Sequence, residues 1–289
     1  MSTQAYAAAS RPGARRRVPR LLRSGQAVAG LVILGAVVGI ALIGPLVAPH
    51  PLAQPIGLPG APPGHGAPLG TDYLGRDVLS RVLNGGASVL LLSVTTVFLT
   101  YLIGVVTGML AGLSRSAVDP LIMRTVDVVL VFPPLLLLLL LIAGGGNSFW
   151  VLVIGIVLVL FPGVTRIVRA ATLEVSTTSY IEAATIRGER TAAVMWREIL
   201  PNITPSILAD LGVRFAGAVI LAASVNFLGL GAQPPAANWG LMVAENRVVI
   251  STNIWAVVVP ASLLALMTIS VNLLGDAYSR GLRRSEEGA

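Results

Sequence analysis

Residues 180–202 read YIEAATIRGERTAAVMWREILPN, a wet stretch in a 289-residue chain that is 55% hydrophobic and only 11% charged. Its apolar positions recur at helical spacing: Ile181, Ala184 and Thr185 fall on one face, and Val194, Trp196 and Ile199 meet neighbours a turn away. Gly188 parts the two pieces and supplies a bend that a residue with a β-carbon resists. Pro201 is expected to end the second piece. The pattern predicts a helix–turn–helix with Glu182, Arg187, Glu189, Arg190, Arg197 and Glu198 arrayed around it. What it touches depends on what flanks it.

The flanks are lipid-soluble. Apolar runs at 27–48, 87–113, 128–143, 149–164 and 254–274, and a sixth at 207–230 interrupted near its start by Asp210 and Arg214, predict six crossings. About 20 apolar residues span the hydrocarbon core, and the two shorter runs reach that length through their mixed flanks. With a mean hydropathy of +0.83 the chain reads as an all-α polytopic membrane protein. Run 27–48 exceeds the 7–15-residue core of an export signal, so it is expected to stay in the bilayer.

All 20 basic residues are arginine, and cysteine is absent. Without lysine there is no P-loop, so any ATP chemistry must belong to another polypeptide; without cysteine there is no disulfide framework. The net charge of +7 reflects arginine gathered on the cytoplasmic side rather than a nucleic-acid partner. With the N-terminus inside, only Arg76, Arg81 and Arg247 fall outside the cytoplasmic segments. Span parity then makes 165–206 the longest internal cytoplasmic loop. Its mixed charge argues against simple adsorption to anionic lipid and suits a protein groove.

The expected organisation is a cytoplasmic Arg-rich head at 1–26, a first span at 27–48, an extracytoplasmic loop at 49–86, a core of five spans at 87–280 that includes the 165–206 loop, and a cytoplasmic tail at 281–289. In the Pro- and Gly-rich 49–70 segment, His50 and His65 have no convergent partners for a metal. Residues 69–86 suggest a short amphipathic helix carrying local pairs among Asp72, Arg76, Asp77 and Arg81. Gly104, Gly108 and Gly112 form a stripe for close helix packing. Arg124 and Asp127 are expected to pair, Pro133 and Pro134 to bend the third span, and the fourth span to end near Pro162.

EAATIRGERTAAVMWREILP resembles the signature loop of permease subunits in bacterial ATP-binding-cassette (ABC) importers. The match falls on Glu182, Ala183, Ala184, Gly188, Leu200 and Pro201, and Glu198 stands where Ile is usual. PLGTDYLGRDVLSRVL at 68–83, TVDVVLVFPPLLLL at 125–138 and FLGLGAQPPAANWGLMVAENR at 227–247 resemble the dipeptide/oligopeptide/nickel branch, C-subunit type. Ala222 replaces a common glutamate, and the usual Asp-Pro ending is missing.

The resemblance implies a type I importer (MetI-like) permease fold. It also implies a homologous second permease, two ATPase subunits that hold ATP and Mg, and an extracytoplasmic substrate-binding protein, in the inner membrane with both termini cytoplasmic. No cofactor or catalytic site is implied in this chain. Glu182, Ala183, Ala184, Arg187, Gly188, Leu200 and Pro201 would form the ATPase-coupling arm, stiffened by Pro201 and by packing through Trp196. Ser224, Asn226, Ser270 and Asn272 are candidates for the substrate pathway, with helix–helix hydrogen bonding as their rival role. The segment 229–240 would receive the binding protein, with Trp239 as an alternative interfacial anchor. Dipeptides are the first expectation for cargo, longer peptides the second, nickel chelates the third. The alternative is an ion-gradient-driven secondary transporter, which mid-membrane ionisable groups and internal repeats would signal; an intramembrane enzyme finds no motif.

Overall fold

A computed structural model describes residues 24–286 except 65, 115, 232 and 234; the head up to residue 23, His65, Arg115 and residues 287–289 lie outside that description. The described residues are helical, with three isolated β-bridges and no strand among them. Five helices are long and apolar enough to cross a membrane, and a bent pair supplies a sixth crossing if it is one span.

Helix α1 (Gly25–Val47) starts at a Ser24 cap whose Oγ accepts from the Ala27 N–H. Helix α2 (Val78–Leu113) is longer than its apolar run. Residues 78–86, expected as a separate amphipathic helix, are its first turns, because the Asp77 carboxylate caps the Leu79 and Ser80 N–H groups and nothing in 78–86 breaks the helix. Residues 69–77 form turns instead.

Two prolines break the third run into α3 (Val118–Val131) and α4 (Pro134–Gly145), bent by 88°. Each residue before a proline is driven out of the helical region: Phe132 has ψ 131° and Pro133 ψ 129°. Helix α5 (Phe149–Ser176) passes straight through Pro162 rather than ending there. A proline within a membrane helix is tolerated where neighbours absorb the freed carbonyl, and Pro162 is buried.

A short α6 (Ser179–Ile186) and a single turn α7 (Thr191–Ala193) follow. A π-helical segment at Val194–Ile199 then feeds directly into α8 (Leu200–Phe227). Helix α9 (Trp239–Asn246) and α10 (Trp255–Glu286) complete the chain, α10 running on through most of the expected tail.

The core is built on α2. Beta-carbons at Gly104, Gly108 and Gly112 would approach Val164, Val168 and Thr172 of α5 within 2.6–2.7 Å, so the glycine stripe sets the distance between α2 and α5. Near the start of α2, Trp239 is fully buried, donates its indole N–H to the Val82 carbonyl at 2.8 Å and lies against Gly85 and Gly86. It is therefore neither an exposed docking group nor an interfacial anchor: the glycines open a slot that the ring fills. Residues 49–77 fold over this same end of α2. They are tied to the α9–α10 region by Asn253, whose amide donates to the Leu69 and Thr71 carbonyls, and by Asn246, which accepts from the Tyr73 N–H.

Candidate functional site

At the far end of α2 lies the arm. Helix α6 closes with Gly188 at φ +73° and the Glu189 N–H donating to the Ala184 carbonyl at 3.2 Å. This six-to-one bond past a left-handed glycine is the Schellman ending, and glycine takes that φ without steric penalty. Ile181 and Ala184 before the turn, and Val194, Met195, Ile199 and Ile203 after it, are buried against Val105 and Met109 of α2 and Val164 and Val168 of α5.

The arm's other face is open. Ala183, Ile186, Arg187, Gly188 and Trp196 are exposed, and a β-carbon on Gly188 would meet nothing within 4 Å. Arg187 is held by Glu189, its Nη2 donating to Oε1 at 2.7 Å. Glu182 lies in α6, its side chain outside the described set.

Two expectations about stiffness need correction. Trp196 is 51% exposed; Met195 and Ile199 do the packing, because the π-helical turn shifts the inward face. Pro201 is exposed and does not end a helix. It occupies the first turn of α8, where its missing N–H costs little, and the Leu200 N–H just before it donates five residues back, to the Met195 carbonyl. Leu200 is half-buried. The arm is thus one continuous rod from Thr191 to Phe227, joined to α6 only at the Gly188 turn.

The Ser224 hydroxyl donates to the Ile220 carbonyl at 2.8 Å from a part-exposed face of α8. Asn226 is buried, its amide donating to the Ala222 carbonyl. Ser270 is fully buried and donates to the Met267 carbonyl. Asn272 is half-buried, donates to the Thr268 carbonyl at 3.1 Å and faces Gly212. Each of these bonds is within a helix, not between helices. Ala222 is buried in the core.

Charges gather at the loop and in the bundle, in groups that join local pairs to residues distant in the sequence. Beneath the loop, the Arg76 Nε donates to Asp72 at 2.6 Å, and the Arg81 Nη2 donates to Glu245 of α9 at 2.8 Å. All four side chains are at least nine-tenths buried. Burial pushes the Glu245 carboxyl above its usual value, while Arg81 and Arg76 pull it back down; burial and the nearby Glu245 raise the Tyr73 phenol. Asp77 departs from this group and meets His50, whose Nδ1 is 3.3 Å away.

In the bundle, Asp127 pairs with Arg166 of α5 at 2.6 Å rather than with Arg124. Asp119 takes the Arg169 guanidinium through two 2.6 Å bonds. Both pairs exist because α5 continues past Pro162. Asp210 of α8 accepts from the Tyr101 hydroxyl at 3.0 Å and from the Arg214 Nε at 2.9 Å.

Residues 104–284 match the family of binding-protein-dependent transport system inner membrane components. The chain belongs to that family. Residues 14–63 further match the N-terminal TM domain of oligopeptide transport permease C. Among curated relatives of this permease, the di/tripeptide transport system permease protein DppC of Pseudomonas aeruginosa (strain UCBPP-PA14) is 36% identical over 265 residues, covering 89% of this chain and 87% of its own. A putative peptide transport system permease protein of Brucella suis biovar 1 (strain 1330) is 33% identical over 258 residues with the same coverage. The fold is shared with a chain of the methionine ABC transporter MetNI in an inward-facing conformation, with a TM-score of 0.58, 20% identity, and 70% of this chain and 95% of that chain covered. This permease is therefore an inner-membrane component of an ABC importer, a multi-pass chain of the MetI-like fold. The ion-gradient alternative finds no support in these relatives.

Proposed function

We propose that this permease forms half of the translocation pathway for peptides, dipeptides foremost, with longer peptides second and nickel chelates third, and that the arm around Gly188 couples it to separate ATPase subunits. A homologous second permease completes the path, two ATPases carrying ATP and Mg dock on the arm side, and an extracytoplasmic binding protein delivers cargo to the end where residues 49–77 and 229–240 lie. Arginine placement supports setting the arm, the head and the tail in the cytoplasm. The names of the relatives support the peptide cargo.

One observation carries the coupling role: the arm is anchored on one face by Ile181, Ala184, Met195 and Ile199, and on the other presents Ile186, Arg187 and Trp196 with open space around Gly188. An amphipathic helix with its apolar groups turned outward suits a groove on a partner. ATP does mechanical work here only through different affinities for two states of the assembly, so the connection must be rigid. The continuous rod from Thr191 into α8 supplies that rigidity.

The test compares two variants in proteoliposomes containing the full complex. Gly188→Ala adds the left-handed backbone penalty of roughly 1–2 kcal/mol without bulk and is expected to keep most ATP-dependent peptide uptake. Gly188→Trp adds bulk into the docking space and is expected to abolish uptake while the permease stays folded. Normal uptake by Gly188→Trp would refute the coupling role.

A further inference from the structure

Arg214 lies 14 residues from Leu200 and 13 from Phe227, the ends of α8. At 1.5 Å per residue it stands roughly 20 Å from either end of the helix, within the apolar run at 207–230. Asp210 and Tyr101, its companions, come from α8 and α2. On α5, Gly163 is equally central, 14 residues from Phe149 and 13 from Ser176. A β-carbon there would lie 2.5 Å from the Arg214 Nη1 and 2.7 Å from Cζ and Nη2. The guanidinium therefore lies flat against bare backbone of α5, where any other residue would displace it.

The pairing is one-sided. Asp210 holds Nε alone, while Nη1 and Nη2 have no hydrogen-bond partner among the described residues and are not among the fully enclosed unpartnered atoms. The Arg214 side chain keeps 20% of its surface open. A charged group within a membrane span must be paired or hydrated, so an open guanidinium edge requires water or an anion, not lipid. One turn along α5 from Gly163, Arg166 pairs with Asp127, both half-exposed. Bare backbone at Gly163, covered by Arg214, and Arg166 one turn further along α5 thus form a short strip.

We propose that this strip is the wall of the substrate path in this half, and that the Nη1/Nη2 edge of Arg214 receives the terminal carboxylate of a peptide in transit. A guanidinium offers two parallel donors that match a carboxylate. Asp210 takes the third nitrogen and fixes the fork, and Tyr101 fixes Asp210. The inference rests on the peptide-importer reading.

Equilibrium dialysis tests it, using the purified permease–ATPase complex in nanodiscs without its binding protein, so that only the membrane site reports. Radiolabelled L-alanyl-L-alanine is expected to bind, its C-terminal amide to compete at least tenfold less well, and Arg214→Gln to weaken binding at least tenfold, with Arg214→Lys in between. Equal competition by the amide, unchanged binding to Arg214→Gln, or no binding by the native complex overturns the proposal. If Arg214→Gln fails to assemble, the amide comparison on the native complex decides alone. Loss of the second permease from an otherwise folded Arg214→Gln chain would mean that Arg214 pairs with that subunit and also overturns it. ATP-dependent uptake of the same dipeptide with the binding protein present separates the two claims. Uptake without carboxylate selectivity at the membrane site sinks only this inference, whereas failure to import any peptide sinks the importer reading itself.

Discussion

Arg81 and Glu245 show what a buried pair does in this chain. Their side chains are 0% and 9% exposed, and the Arg81 Nε and Nη1 have no hydrogen-bond partner. Desolvating two charges offsets most of their attraction, so the pair adds little net stability. Yet removing either one leaves the other buried with only longer ion contacts, Glu245 to Arg76 and Arg81 to Asp72, each at 3.5 Å. Arg81→Leu and Glu245→Leu are each expected to destabilise the permease by roughly 3–5 kcal/mol. The double variant should cost less than the sum, because Asp72 and Arg76 still hold each other. Thermal unfolding of the purified complex measures all three; strict additivity would show that the two side chains are not coupled. This pair also marks the limit of local reading. Asp72 with Arg76 was visible at a spacing of four, but Glu245 lies 164 positions from Arg81, and no periodicity connects them.

Among the elements, the α2–α5 contact depends on absent side chains. A β-carbon on Gly108 would sit 2.6 Å from the Val168 β-carbon and 2.8 Å from the Thr165 carbonyl oxygen. Gly108→Val must push the helices apart at a cost of about 1–3 kcal/mol, seen as a lower melting temperature and less inserted protein. Unchanged melting would contradict the packing described. The stripe was legible because glycine at every fourth position has one simple use in a membrane helix. Helix ends were not. Pro162 and Pro201 read as stops, but one is accommodated inside α5 and the other sits in the first turn of α8; only the double Pro133–Pro134 breaks the chain. Trp196 was misjudged for the same reason, since the π-helical turn at Val194–Ile199 shifts every later position around the axis. The anchoring residues Ile181, Ala184 and Ile199 were legible from spacing. The group of Tyr101, Asp210 and Arg214 was legible only in part: Asp210 and Arg214 interrupt the apolar run at a spacing of four, but no pattern brings Tyr101 of α2 to them.

For the whole molecule, the arm and the 49–77 loop lie at opposite ends of a 36-residue helix. Their separation across the membrane is measurable because the chain has no cysteine. Leu58 and Ile186 are each 79% exposed. A membrane-impermeant maleimide is expected to label Leu58→Cys from outside the cell and Ile186→Cys only in inverted vesicles; the reverse pattern would invert the proposed topology. The same Ile186→Cys provides the most direct measurement of all, thiol cross-linking in the intact transport assembly. The expected result is a covalent adduct with an ATPase subunit whose formation stops ATP-dependent uptake. An Ile186→Cys that cross-links to no ATPase subunit, or that cross-links while uptake continues unchanged, would contradict the claim that force enters this bundle through the bend at Gly188.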